Sequence, residues 1–119
     1  TPTFSPHLTL LPDSSIPTSL RTSPHEILTA VERVVSRFPK APNLRFKDVR
    51  IGSLYYQCVL IAVKPDPELL HLHTALHKEL RALGTEQEKG EEKSDYFPHV
   101  SLVYGDLAEE ERLEIVRSL

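Results

Sequence analysis

The sequence predicts one domain that mixes helices and strands in the order β-α-β-β-α-β-α. Three observations predict it. A chain of 119 residues can build one core and is too short for two independent ones. Four short segments are rich in alternating or continuous apolar residues bounded by Pro, Gly and Ser, the mark of strands. Three others open with helix-start residues and carry apolar side chains at helical spacing.

The first strand runs from Phe4 to Leu11, where Leu8 and Leu10 alternate with His7 and Thr9. Pro6 restricts it to a strand's first position or a sheet edge, because proline has no N–H for the ladder. A Pro- and Ser-rich loop follows, through Arg21. The segment SPHEILTAVERVVSRF opens with Ser23 as N-cap, Pro24 at the first helical position and Glu26 to complete a capping box, with Ile27, Val31, Val34, Val35 and Phe38 as one apolar stripe. LRFKDVRI and LYYQCVLIAVK then read as two strands joined by a turn near Gly52 and Ser53, the second apolar on both faces and therefore central. Asp66 caps a second helix with Pro67 at its first position and Leu69, Leu72, Leu76, Leu80 and Leu83 in line, ended by Gly84. TEQEKGEEKSD has no apolar residue and reads as a mobile, solvated loop. The strand YFPHVSLVY and a last helix, with Asp106 and Glu109 as its capping box, complete the order.

Composition narrows the function. With 39% apolar and 26% charged residues the chain has the balance of a soluble globular domain, and its longest apolar run, Cys58 to Val63, is too short to cross a bilayer. No basic, apolar-cored leader precedes the first strand, and a start at Thr1 rather than Met is consistent with a trimmed or partial chain. Cys58 is the sole cysteine, which rules out an intrachain disulfide and a cysteine-only zinc site and points to an intracellular, cytoplasmic setting. A net charge of −3 lacks the positive excess that a long nucleic acid demands, so the expected anionic partner is small.

The chemistry lies in a repeated pattern. PHLTL and PHVSL each place an apolar residue between a histidine and a hydroxyl, directly behind a proline and near an aromatic residue. Far fewer than one such copy is expected by chance at this composition, and Pro24-His25, followed by Glu26 and Ile27, shows the dipeptide without the hydroxyl. Strand alternation sends His7 with Thr9, and His99 with Ser101, to one face each. Imidazole is the side chain whose neutral and protonated forms coexist near neutral pH, as a paired general base and general acid require. A hydroxyl beside each can donate to oxygens that gain charge. Two such pairs suit displacement at phosphorus, with proton transfer serving both the attacking and the leaving oxygen and no metal needed.

These residues resemble the paired His-x-Ser/Thr signatures of the two-histidine (2H) phosphoesterases, in particular the cyclic nucleotide phosphodiesterases of fungi and plants. GSLYYQCVLIAVKPDPEL and FPHVSLVYGDLAEEER share in the likeness, which covers much of Phe4 to Arg112 and is patchy between Pro12 and Val49. The resemblance implies an α+β, bilobal fold: two antiparallel sheets face each other across a central cleft, one motif strand in each, with helices outside. It implies metal-independent hydrolysis, without a cofactor, of nucleoside 2′,3′-cyclic phosphate to the 2′-phosphomonoester, or of ADP-ribose 1″,2″-cyclic phosphate, a by-product of tRNA splicing, to the 1″-phosphate. His7 and His99 match the catalytic histidines, Thr9 and Ser101 the hydroxyls that hold phosphate, and Tyr104 a substrate-contacting tyrosine. Strict alternation puts Tyr104 on the opposite face from His99 and Ser101, which a bulge or twist near Gly105 would reconcile. Members of the family usually begin with a further strand and helix and finish with two more strands, none of which is visible in this sequence, so the expectation is a single domain, 1–119, read from a truncated record rather than a truncated enzyme. Tyr55 and Tyr56 are candidate stacking partners for a base.

The remaining candidates read more plainly. His73 and His77 have the i, i+4 spacing of a metal clip, yet no third ligand accompanies them, and surface helix positions are expected. His71 faces solvent. Asp95 either orients the second motif's histidine or ends the charged loop. Cys58 sits in the most apolar strand and is expected to be a packed, unreactive thiol. Besides catalysis, two other functions fit the motifs: a module that binds phosphate without turnover, and an RNA 2′,5′-end-processing enzyme of the same superfamily, against which the negative charge weighs. No membrane association is expected, and a monomer is favoured.

Overall fold

The computed structural model describes residues 3–85 and 96–119. Their elements are α1 (Pro24–Val35), β1 (Phe46–Leu54), β2 (Gln57–Val63), α2 (Pro67–Ala82), β3 (His99–Val103) and α3 (Glu109–Arg117), with two short 3-10 turns, Asp13–Ser15 and Thr18–Leu20, before α1. The class is α+β: among the described residues there are three α-helices and one three-stranded antiparallel sheet in the order β1-β2-β3. The chain divides into a sheet unit (Thr1–Thr9, Leu44–Pro65, Phe97–Leu119) and a helical unit (Leu10–Asn43, Asp66–Tyr96).

In the sheet unit β2 is the central strand, as its apolar run predicts: Cys58, Val59, Leu60, Ala62 and Val63 are all buried. The β1–β2 turn falls at Tyr55 and Tyr56 rather than at Gly52 and Ser53. Ile51 pairs with Val59 and Leu54 with Gln57, which leaves Gly52 and Ser53 together opposite Cys58 as a bulge. Glycine at 52 thus serves close approach instead of a turn conformation: its φ is not positive, and a Cβ there would collide with the Gln57 carbonyl oxygen. Arg112, buried on α3, fastens the helix to this bulge; its Nη1 donates to the Gly52 carbonyl and its Nε to the Leu107 carbonyl at 2.8 Å.

The expected first strand shrinks to a single antiparallel bridge, Leu8 with Val100, on the free edge of β3. Pro6 has no N–H to extend the ladder, and the Leu10 carbonyl is taken by the His73 ring instead. α3 begins later than its expected box at Asp106 and Glu109: Ala108 is the N-cap, and its N–H donates to the Glu111 carboxylate at 3.3 Å.

In the helical unit α1 packs on α2, and Leu20, Ala30 and Leu80 form a core flanked by Leu11, Ile16 and Ile27. The buried line of α1 passes through Ala30 and Val34, leaving Val35 49% exposed. Ser23 is the N-cap, as expected, but makes no side-chain capping bond. On α2 the expectation of surface positions for His73 and His77 is corrected: they are 8% and 7% exposed, whereas Leu83, assigned to the buried stripe, is exposed. An imidazole has an apolar body that packs like a leucine provided its nitrogens find partners. His73 does so through Nδ1, which donates to the Leu10 carbonyl at 2.8 Å, and its ring stacks on Tyr96 at 3.9 Å. His71 is exposed and Cys58 is a buried free thiol, both as expected. The polar stretch expected to be a loop lies, from 86 to 95, outside the described residues, and so does Asp95.

Two expected outcomes follow from this packing. Gly52→Ala should destabilise the fold by about 1–3 kcal/mol through the forced contact with Gln57, read as a lowered urea midpoint. Burial pushes the Tyr96 phenol from 10.0 up to about 12. The folded state therefore holds that proton more tightly than the unfolded chain, so this stabilisation is complete below pH 10 and disappears as pH rises through about 12. Urea titrations across that interval should show a shallower fall in stability for Tyr96→Phe than for the unaltered protein.

Candidate active site on one face of the sheet

The Leu8–Val100 bridge fixes the relation between the two motifs. Regular antiparallel alternation carried one residue to each side of that bridge would set His7 opposite Ser101 and Thr9 opposite His99, all four on the face away from Leu8 and Val100. The histidines are then diagonal neighbours, a relation that sets side chains about 7–8 Å apart across two strands. The arrangement differs from one motif strand in each of two facing sheets: here the motif segments are lateral neighbours, joined by backbone pairing.

Each imidazole is anchored in the same way. His7 Nδ1 lies 2.7 Å from the Ser5 carbonyl and His99 Nδ1 lies 2.8 Å from the Phe97 carbonyl. A carbonyl oxygen only accepts, so in both rings Nδ1 carries the proton and Nε2 is the nitrogen left for chemistry. Aromatic neighbours hold the ring planes: Phe4 meets His7 edge-on with centroids 6.1 Å apart, and Phe97 stacks on His99 at 5.1 Å. His7 is exposed and His99 half-buried.

The hydroxyls differ. Thr9 is exposed. Ser101 is 8% exposed, and its Oγ donates to the Tyr56 carbonyl at 2.7 Å, so its proton is offered to any other acceptor only after the hydroxyl rotates away. Tyr104 joins the motif face. Val59 pairs with Val103 but Leu60 with Ser101, so Leu102 is an extra residue in β3. This bulge reverses the alternation and returns Tyr104 to the side of His99. Its ring stacks on Phe4 at 4.0 Å and meets Tyr56 at 5.1 Å. Tyr55 and Tyr56 pack edge-on at 4.9 Å, Tyr56 being 66% exposed.

Phe4 and Phe97 are the aromatic residue noted near each histidine, whereas Arg50 escaped the sequence reading. It is on the same face of β1: it pairs through Leu60 with Ser101, and it is hydrogen-bonded by Nε and Nη2 to both oxygens of Asp48, at 2.7 and 2.8 Å. Those bonds hold the Asp48 carboxyl below the usual carboxylate range and the Arg50 guanidinium above its own. No sequence signal marks this pair. Among the described residues no three metal-ligating side chains come together, and no helix is long and apolar enough to cross a membrane.

The shared Nδ1 anchor has a spectroscopic consequence. Long-range proton–nitrogen correlation spectra at alkaline pH should show His7 and His99 as the Nδ1–H tautomer, against the Nε2–H form that free imidazole prefers; an Nε2–H pattern at either ring would disprove the anchor.

Comparison with known proteins identifies the family. A curated 2′,3′-cyclic-nucleotide 3′-phosphodiesterase of Yarrowia lipolytica is 26% identical over 131 residues, an alignment that covers 87% of this chain. The chain spans 58% of that relative's length. Residues 1–118 match the family described as cyclic phosphodiesterase-like protein, and the chain, with its two histidine motifs on one sheet face, belongs to that family.

Proposed function

We propose that this face hydrolyses a 2′,3′-cyclic phosphodiester of nucleotide size, a nucleoside 2′,3′-cyclic phosphate or ADP-ribose 1″,2″-cyclic phosphate, by two-histidine acid/base catalysis without a metal. The observation that carries the proposal is the pairing at Leu8 and Val100, which sets two Nδ1-anchored imidazoles as diagonal neighbours. One Nε2 takes a proton from water as its oxygen bonds to phosphorus. The other, protonated, delivers its proton to the ribose 3′ oxygen as the P–O3′ bond breaks, leaving a 2′-phosphomonoester. For the ADP-ribose derivative the bond to the 2″ oxygen breaks and the 1″-phosphate remains. Thr9, and Ser101 once rotated, donate to the equatorial oxygens, where donors fixed before the reaction are most effective. Tyr104 contacts the substrate, and Tyr55 and Tyr56 offer their rings to the base.

The proposal includes the bilobal form of the fold, with a second antiparallel sheet facing this one across a cleft, and a cytoplasmic role on the cyclic phosphates that tRNA splicing leaves. The match to the family and the small negative charge support a compact substrate over a long RNA. One observation favours a second reading, binding of a phosphate without turnover: the Ser101 proton is already committed to the Tyr56 carbonyl.

Single substitutions separate the two. His7→Ala and His99→Ala should each lower kcat for a nucleoside 2′,3′-cyclic phosphate by about a hundredfold to ten-thousandfold with unchanged circular dichroism, and excess chelator should leave the unaltered protein's rate intact. Turnover unaffected by either substitution would refute the catalytic scheme. Saturable binding with no product would establish the second reading, and loss of activity in chelator would point to a metal.

A further inference from the structure

We propose that Arg50 is a specificity-determining residue of this site, taking a second phosphoryl group on the 5′ side of the substrate while the histidines work on the cyclic phosphate. The inference rests on the catalytic reading above and adds to it a residue and a substrate feature. Four observations carry it.

The first is position. Asp48, Ala62, His99 and Thr9 form one cross-strand row, and Arg50, Leu60, Ser101 and His7 the next, so Arg50 lies on the histidine-bearing face in line with the second motif's hydroxyl. β1 is two strands from β3, about 10 Å away by the spacing of neighbouring strands, a separation on the scale of one nucleotide.

The second is orientation. An arginine on an edge strand ordinarily samples many rotamers, but this guanidinium is held at two points by Asp48. The fork is fixed before any ligand arrives, which reduces the entropy lost on binding.

The third is unused capacity. Asp48 engages Nε and Nη2, so Nη1 keeps both of its N–H groups, and Arg50 makes no other hydrogen bond among the described residues. Its side chain is 42% exposed, accessible to a ligand. The fourth is continuity with the reacting groups: the guanidinium carbon lies 5.9 Å from the centroid of the Phe97 ring, and that ring stacks on His99. Phe97 is a wall shared by the catalytic imidazole and the cation, and an aromatic wall displaces water from a phosphate–guanidinium contact.

Because Asp48 neutralises the pair, Arg50 offers directed donors more than net attraction, and the gain should be modest. Binding is the readout, since it does not depend on turnover. The unaltered protein should hold a nucleoside 2′,5′-bisphosphate about tenfold more tightly than the matching nucleoside 2′-monophosphate in calorimetric titrations. In Arg50→Gln that ratio should fall to near one, and in Arg50→Lys, which keeps the charge but loses the fork, to an intermediate value. A ratio near one in the unaltered protein, or a ratio unchanged in Arg50→Gln, would overturn the assignment. Hydrolysis of a nucleoside 2′,3′-cyclic phosphate, followed in parallel, reports on the catalytic reading alone: if it fails, that reading falls and the affinity ratio still decides Arg50.

Discussion

The candidate site depends on one short stretch of backbone pairing, the antiparallel bridge between Leu8 and Val100. The first motif enters the sheet unit from the beginning of the chain and the second lies in β3, and nothing local in either specifies the other. With Leu8 facing Val100, regular strand alternation would put His7, Thr9, His99 and Ser101 on one face, each histidine across from the other motif's hydroxyl. A slip of one residue would turn the whole first motif to the opposite side. Pairing of Leu8 with Val100, side chains that are half-buried and buried respectively, resists that slip, because it would exchange an apolar contact for a polar one.

Two bulges then adjust what the ladder alone would give. The bulge at Leu102 turns Tyr104 to the motif face, where it stacks on Phe4. The bulge at Gly52 and Ser53 receives Arg112 from α3, so that the helix is tied to β1 through the Gly52 carbonyl oxygen. In both cases one extra residue converts a regular surface into a particular one, the usual role of a bulge near a site. The histidines themselves are set by local bonds: in each the carbonyl two residues upstream accepts from Nδ1. Which ring nitrogen bears the proton is thus set by backbone carbonyls.

How much of this the sequence discloses depends on the range of the interaction. Continuous apolar character from Cys58 to Val63 identifies a central strand because burial on both faces needs it, and proline at the first helical position marks α1 and α2 because that N–H has no partner there. The repeated His-x-hydroxyl pattern nominates four candidate site residues because alternation is a local property. Failures occur where a partner distant in sequence decides. Gly52 signals an irregularity, but only the approach of Gln57 makes it a bulge instead of a turn. His73 is polar by composition, and only the Leu10 carbonyl and the Tyr96 ring make its burial tolerable. That the motifs are neighbours in one sheet, and that Arg50 shares their face, both follow from strand register, which two separate segments do not encode on their own.

The same bridge explains why the two histidines are unequal in a site that looks symmetric in sequence. His99 belongs to a strand laddered to β2, is half-buried and has the Phe97 ring against it, so its position is over-determined. His7 is exposed, and its segment, outside the ladder, meets the sheet at the Leu8 bridge and through the stacking of Phe4 on Tyr104, an aromatic pair that contributes roughly 0.5–1.5 kcal/mol. Tyr104 accordingly has a structural duty besides any contact with substrate, since removing its ring also loosens Phe4 and through it the His7 side of the site.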